Sequence, residues 1–308
     1  MSGAMDITEA LLRGMPLPRP DEDGDKDRRG QVMVVAGSVE VPGAALLAGI
    51  AALRAGAGKL QMATARSVAV PLGLAVPEAL VIGLPETPDG GIAPEAGAEL
   101  ARRARRCGAV LVGPGMTNGA ESAALTGVLL DRLDGPALVL DAAALRGLTD
   151  SRERLHRHAG RAVITPHAGE MASLLGIERE AVAADPRGTA RRAAALLQVV
   201  VVMKGPCTEI VTPQGEAWRY SGGTVGLATS GSGDTLAGLV AGLLARGATP
   251  LQAAVWAVHL HGEAGNRLTR RHGPLGFLAR ELLAEVPGIM AALSDPVGGE
   301  AVSSEPPR

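Results

Sequence analysis

Between Gly226 and Leu236 the chain reads Gly-Leu-Ala-Thr-Ser-Gly-Ser-Gly-Asp-Thr-Leu, a run of small residues that ends beside a carboxylate. Leu236, Leu239, Val240, Leu243 and Leu244 then recur at the spacing of one apolar helical face, and Gly247 supplies a stop. The spacing therefore predicts a helix whose first residues are Ser232, Gly233 and Asp234. The opening amides of a helix have no partners within it and their dipoles add, so the backbone of Gly231, Ser232 and Gly233 forms an anion hole. Without side chains, Gly231 and Gly233 let a phosphate approach closely. Asp234 is the anomaly, because a carboxylate repels a bound anion. Three roles account for it: a helix cap, a partner for a metal that offsets the repulsion, or a general base that takes the proton of a hydroxyl as it becomes a nucleophile.

Further residues able to do chemistry stand directly after short apolar runs. Gly37-Ser38 and Pro42-Gly43-Ala44-Ala45 follow Val32 to Ala36, and Gly113-Pro114-Gly115 follows Val110 to Val112. Asp141 ends the run from Ala137, Thr165-Pro166-His167-Ala168-Gly169-Glu170 ends the run from Ala162, and Lys204-Gly205-Pro206-Cys207-Thr208 follows Val199 to Met203. Each has a bland explanation as a turn, a cap, a loop histidine or a surface charge. Together they have another, because an open parallel sheet binds ligands beyond the C-terminal ends of its strands. Lys204 suits a nucleotide phosphate as a point charge, with Thr208 beside it. His167 and Glu170 are three apart at the start of a helix and face one cleft, where Glu170 can hold Mg2+ through waters. His259 and His261, two apart on a helix, point to different sides and read as packing or surface residues. No Gly-x-x-x-x-Gly-Lys-Ser/Thr loop occurs, and Leu236 stands where a dinucleotide fingerprint needs a third glycine.

The elements that position these residues follow from the pattern of apolar runs. Strands are expected at Val32 to Ala36, Leu60 to Ala63, Leu80 to Gly83, Val110 to Gly113, Ala137 to Asp141, Ala162 to Thr165 and Val199 to Met203. Most are continuously apolar, as parallel strands covered on both faces are. Thr208 to Thr212 and Glu216 to Tyr220 flank Pro213-Gln214-Gly215 as an antiparallel hairpin. The expected fold is α/β, a three-layer α/β/α arrangement around a mostly parallel sheet. Residues 30 to 292 read as a single domain, residues 1 to 29 as a charged, Pro-rich arm, and residues 293 to 308 as a disordered tail.

Composition narrows the partners. With 308 residues, 46% hydrophobic, and a formal net charge of -2, the chain can bury a large core and has no excess of positive charge for nucleic acid. Two lone cysteines, Cys107 and Cys207, give neither a disulfide framework nor a cysteine-rich metal site and fit a reducing cytoplasm. No secretory signal is read, and no apolar segment reaches the roughly 18 residues that span a bilayer.

Taken together and in order, Val34-Val35-Ala36-Gly37-Ser38, Pro42-Gly43-Ala44-Ala45, Gly113-Pro114-Gly115, the segment from Thr165 to Glu170, that from Lys204 to Thr208, and Thr229 to Asp234 resemble the ADP-dependent NAD(P)H-hydrate dehydratases of the ribokinase-like superfamily. The glycine-aspartate loop indicates only the superfamily, whereas the segments around His167 and Lys204 are more specific. The resemblance implies that ADP phosphorylates the ring hydroxyl of hydrated NADH or NADPH, with Asp234 as base and Mg2+ offsetting charge, after which loss of phosphate restores the double bond. It implies hydrate contacts at Ala45, Gly115, His167 and Asp234, and adenine-nucleotide contacts at Lys204, Gly205, Pro206, Cys207, Thr208 and Gly233. It also implies a homotetramer, and an epimerase on a separate chain, since 29 residues are too few for one. Ala143 and Thr224 depart from the family pattern. Many relatives have an aspartate at the position of Ala143, and an asparagine often stands near the position of Thr224. A kinase of a vitamin-precursor alcohol, using the same fold and aspartate, and a nucleotide-binding regulator without catalysis remain the rival readings.

Overall fold

The apolar runs pair into one ten-stranded sheet in the computed structural model, which describes residues 3–19, 29–117 and 119–294. In chain order the strands are β1 (Met5–Asp6), β2 (Gln31–Val35), β3 (Lys59–Ala65), β4 (Ala79–Leu84), β5 (Ala109–Val112), β6 (Ala137–Leu140), β7 (Ala162–Ile164), β8 (Val200–Met203), β9 (Thr208–Val211) and β10 (Ala217–Tyr220). Their spatial order is β1-β10-β9-β8-β7-β6-β5-β2-β3-β4. From β2 to β8 every neighbouring pair is parallel; β9 lies antiparallel to both β8 and β10. The expected hairpin is therefore present, closed by Gly215, whose amide donates to the Thr212 carbonyl at 2.9 Å.

Continuous apolar strands have a direct cause. Val32 and Val34 of β2 pack into the core on one face, while Met33 and Val35 pack into the core on the other. In β5, Leu111 and Val110 divide in the same way, as do Val139 and Leu140 in β6. The first face carries the helices Pro42–Arg54, Ser232–Ala245, Pro250–His272 and Ala279–Ser294. The second carries Gly97–Ala104, Ala120–Arg132, Ala168–Leu175 and Pro186–Leu197. This is the expected three-layer arrangement.

The chain leaves β2 toward β3 and β4, then returns to place β5 on the opposite side of β2. That reversal opens a crevice beyond the C-terminal ends of β2 and β5. Two helices meet there at very short range. A Cβ at Gly238 would lie 2.3 Å from the Ala48 carbonyl oxygen, and one at Gly242 would lie 2.3 Å from that of Ala52. Small residues thus hold Ser232–Ala245 against Pro42–Arg54, with both N-termini at the crevice end of the sheet.

The N-terminal segment departs from the expectation of an arm. Met5 pairs with Trp218 to make β1 a parallel edge strand, and Ile7, Leu12 and Leu17 are buried in the first core. The Trp256 indole donates to the Met15 carbonyl at 2.8 Å, and Arg246 donates to the Pro18 carbonyl at 2.8 Å. Prolines hide this docking in the sequence, because the contacts use side chains some 230 residues away rather than local periodicity. The acidic run from Asp21 to Asp27 and the tail beyond Ser294 lie outside the described residues.

Candidate active site

The helix Ser232–Ala245 begins where its sequence predicts. Gly231 is its N-cap in the left-handed region at φ 85°, a conformation that suits glycine, and a Cβ there would stand 2.4 Å from Leu47 Cδ1. One expectation needs correction. The Ser232 amide is not unpaired as a helix start implies, since it donates to the Thr229 carbonyl at 3.2 Å. The space of Gly233's missing side chain is directed at Lys204 Nζ, 3.3 Å from a built Cβ.

Asp234 accepts no hydrogen bond from the described residues, so it does not cap the helix. Burial pushes its carboxyl up to about 6, helped by the negative charges of Asp141 and Glu170 and opposed by Lys204. Asp141 is not a cap either. Its Oδ1 accepts from Thr165 Oγ1 at 2.6 Å and from Lys204 Nζ at 2.9 Å, and the residue is 2% exposed. Lys204 is correspondingly no surface charge: burial works against its ammonium, but Asp141, Glu170 and Asp234 together hold its pKa above the ordinary lysine value.

His167 and Lys204 form a parallel bridge beyond β7 and β8, in which the Lys204 amide donates to the Pro166 carbonyl at 2.8 Å. His167 caps the helix Ala168–Leu175. Its Nδ1 accepts from the amides of Gly169 and Glu170 at 3.0 and 3.2 Å, and Glu170 Oε2 accepts from the His167 amide at 2.8 Å. Because Nδ1 accepts, the neutral ring carries its proton on Nε2, which faces Glu170 Oε1 at 3.5 Å. Glu170 Oε2 is also 3.7 Å from Lys204 Nζ. The capping box thus fixes a histidine and a carboxylate on one wall.

Two cavities share that wall. One, of about 420 Å3, is lined by Gly115, Met116, Ala143, Arg146, His167 and Glu170 among others. Gly115 is required there by shape, since at φ 62° a Cβ would come within 2.5 Å of Ala44 Cβ. The Gly37 amide ties this loop across the crevice by donating to the Pro114 carbonyl at 2.7 Å. The second cavity, of about 640 Å3, is lined by His167, Lys204, Gly205, Pro206, Thr208, Thr224, Ser232, Gly233 and His261, with apolar walls from Tyr220, Val225, Leu227 and Val258. Among the expected site residues, Ala45, Cys207, Gly231 and Asp234 are not among those lining either cavity, and Asp234, half-buried, follows Gly233 of the larger one.

Two side chains have partners that the sequence does not show. Asp141 gathers Thr165 and Lys204 across three strands, and His261 Nε2 lies 2.8 Å from Ser232 Oγ. His259 does point the other way, edge-on to Tyr220 with ring centroids 5.8 Å apart. His261, however, is no mere packing residue, because it forms part of the larger cavity. Only a helix start expected to bind anions, placed opposite the Pro250 helix, would have flagged it.

A family model for NAD(P)H-hydrate dehydratases matches residues 32–288. The chain belongs to this family. It is 50% identical over 288 residues to an ADP-dependent (S)-NAD(P)H-hydrate dehydratase of Xanthomonas campestris, covering 93% of this chain and 96% of that relative. A bifunctional NAD(P)H-hydrate repair enzyme of Moorella thermoacetica is 38% identical over 292 residues, which cover 94% of this chain and 54% of that protein. Among solved structures, the ADP/ATP-dependent NAD(P)H-hydrate dehydratase of Bacillus subtilis, co-crystallised with ATP and Mg2+, superposes with a TM-score of 0.82 at 30% identity, covering 95% of this chain and all of that one. A hydroxyethylthiazole kinase from Pyrococcus horikoshii, 19% identical at a TM-score of 0.59, shares the fold alone. The ribokinase-like expectation is therefore borne out, and family membership favours the dehydratase over the vitamin-precursor kinase.

Proposed function

We propose that this enzyme dehydrates the S-form of NADH hydrate and NADPH hydrate, consuming ADP and restoring the reduced nicotinamide with release of AMP and phosphate. The observation that carries the reading is the junction of two cavities at His167, with an aspartate of raised pKa and a glycine-rich helix start beside it. The cavity holding Gly115 and His167 suits the hydrate, with Ala45 on the helix Pro42–Arg54, next to the Ala44 that Gly115 approaches. The cavity holding Lys204, Gly205, Pro206, Thr208 and Gly233 suits the adenine nucleotide, with Cys207 in the same turn.

In this reading Asp234 takes the proton of the ring hydroxyl as that oxygen attacks the terminal phosphorus of ADP and the bond to AMP breaks. An aspartate poised near 6 does this better at neutral pH than an ordinary one, because its conjugate acid is a weaker acid. The Gly233 amide and Lys204 meet the negative charge on the phosphoryl group in transit. The ring nitrogen lone pair then expels phosphate, and loss of a proton from the neighbouring carbon restores the double bond. Among the described residues no three His, Cys, Asp or Glu side chains are grouped to hold a metal. That fits Mg2+, which is bound mainly by waters and nucleotide phosphates, with Glu170 holding it through water. When bound, it would offset phosphate charge.

An epimerase that converts the R-form is the functional partner in this reading, supported by relatives named bifunctional NAD(P)H-hydrate repair enzymes, of which the match covers 54%. A homotetramer in the cytoplasm completes it; size-exclusion chromatography with light scattering checks the first. Among the described residues no helix is long and apolar enough to cross a membrane. The function itself is tested by mixing the enzyme with hydrated NADH, Mg2+ and either ADP or ATP and following reduced-nicotinamide absorbance. A rise with one donor supports the reading and identifies the donor; no rise with either defeats it.

A further inference from the structure

The helix start that faces the nucleotide cavity has a gap in its row of donors. The Ser232 amide is committed to the Thr229 carbonyl, so the only donor that residue 232 can offer a phosphate is its hydroxyl. That hydroxyl is also not free to turn, since Ser232 Oγ lies 2.8 Å from His261 Nε2 and the residue is 5% exposed. Both side chains line the cavity, close to Gly233 and Lys204.

We propose that His261 donates its Nε2 hydrogen to Ser232 and so fixes the serine hydroxyl as a donor to the transferring phosphoryl group. His261 is then a positioning residue, and Ser232 takes the place of the amide that the turn consumes. The tautomers open to the pair differ in what they leave for a phosphate. A neutral imidazole has one N–H. If Nε2 lacks the hydrogen, Ser232 must spend its own on the ring and presents only lone pairs to the anion. If Nε2 carries it, the serine accepts from the ring and its hydrogen is left for the phosphoryl oxygens. A bound phosphate selects the second arrangement, since the first sets lone pair against negative charge. Burial, aided by the nearby Lys204 charge, holds the ring neutral by lowering its pKa to about 4, and this keeps a single N–H to be placed.

The inference rests on phosphoryl transfer at this site, and two measurements separate its fate from that of the dehydratase reading. The first is turnover of hydrated NADH with ADP. Ser232→Ala and His261→Leu should each lower kcat by roughly 10- to 100-fold, a little less than loss of a main oxyanion-hole donor, with KM for the hydrate within about threefold. The double variant should be no worse than the poorer single one, because both changes remove the same donor. His261→Gln, which retains an N–H at similar reach, should recover most of the rate. The second measurement is calorimetric binding of inorganic phosphate in the presence of AMP, which needs no turnover. Its affinity should fall about tenfold in Ser232→Ala and His261→Leu and hold in His261→Gln, about 1.4 kcal/mol per tenfold. Thermal unfolding of each variant identifies any that does not fold. Unchanged phosphate affinity and kcat in His261→Leu, or independent losses that multiply in the double variant, would overturn the proposal. A wild-type enzyme that binds phosphate in the predicted pattern yet leaves hydrated NADH untouched would defeat the dehydratase reading alone.

Discussion

Replacing Asp234 by Asn separates a general base from a structural carboxylate through both rate and stability. The rise of its pKa from 3.8 to about 6 means that the folded state binds the proton more tightly than the unfolded chain. Wild-type stability contributed by this group is therefore greatest at low pH, begins to fall as pH passes the unfolded value, and has lost its full share above the folded one. At about 1.4 kcal/mol per tenfold, the complete loss is up to ~3 kcal/mol, and ~1.4 kcal/mol of it falls between pH 5 and pH 8. Asp234→Asn has no such proton. It should accordingly be more stable than wild type at pH 8, by clearly more than at pH 5, in urea unfolding at the two pH values. Its kcat should fall about 10²- to 10⁴-fold. The wild-type rate should also decline on acidification through pH about 6, and the residual rate of the variant should lack that limb. A variant that turns over normally, or one destabilised by about 1 kcal/mol at both pH values as the loss of a cap would require, refutes the reasoning.

Three further outcomes are expected. Gly233→Ala places a methyl 3.3 Å from Lys204 Nζ, where it obstructs the phosphate path and should cut kcat/KM for ADP at least tenfold by steady-state assay. Lys204→Met leaves the buried Asp141 carboxylate without its partner and should cost about 3–5 kcal/mol in urea unfolding, a loss that adding Asp141→Asn largely reverses. His167→Ala removes the ring nitrogen that caps the helix Ala168–Leu175, so it should lower stability by about 1 kcal/mol and raise KM for the hydrate more than KM for ADP.

Most of the parallel strands from β2 to β8 were legible because both faces of that part of the sheet are covered, which makes them apolar runs, while β9 and β10 were legible from the Pro213-Gln214-Gly215 turn between them. The glycine-rich loop and the capping pair His167 and Glu170 were legible as local patterns. Strand β1 was not, since two residues carry no periodicity and their pairing with Trp218 and Arg219 is set by the far end of the chain. Asp141 has the same difficulty. Its meaning lies in contacts 24 and 63 residues away, which no spacing along one strand reveals. Ser232 illustrates the limit within a legible motif: the helix start predicts free amides, but the turn that delivers the chain to it takes one of them.

The most direct test of the account is product stoichiometry with purified S-NADH hydrate, ADP and Mg2+. The reading predicts NADH, AMP and inorganic phosphate in equal amounts, at a rate that falls about 10²- to 10⁴-fold with Asp234→Asn. Accumulation of AMP with a stable phosphorylated acceptor and no NADH would contradict it and make the enzyme a kinase.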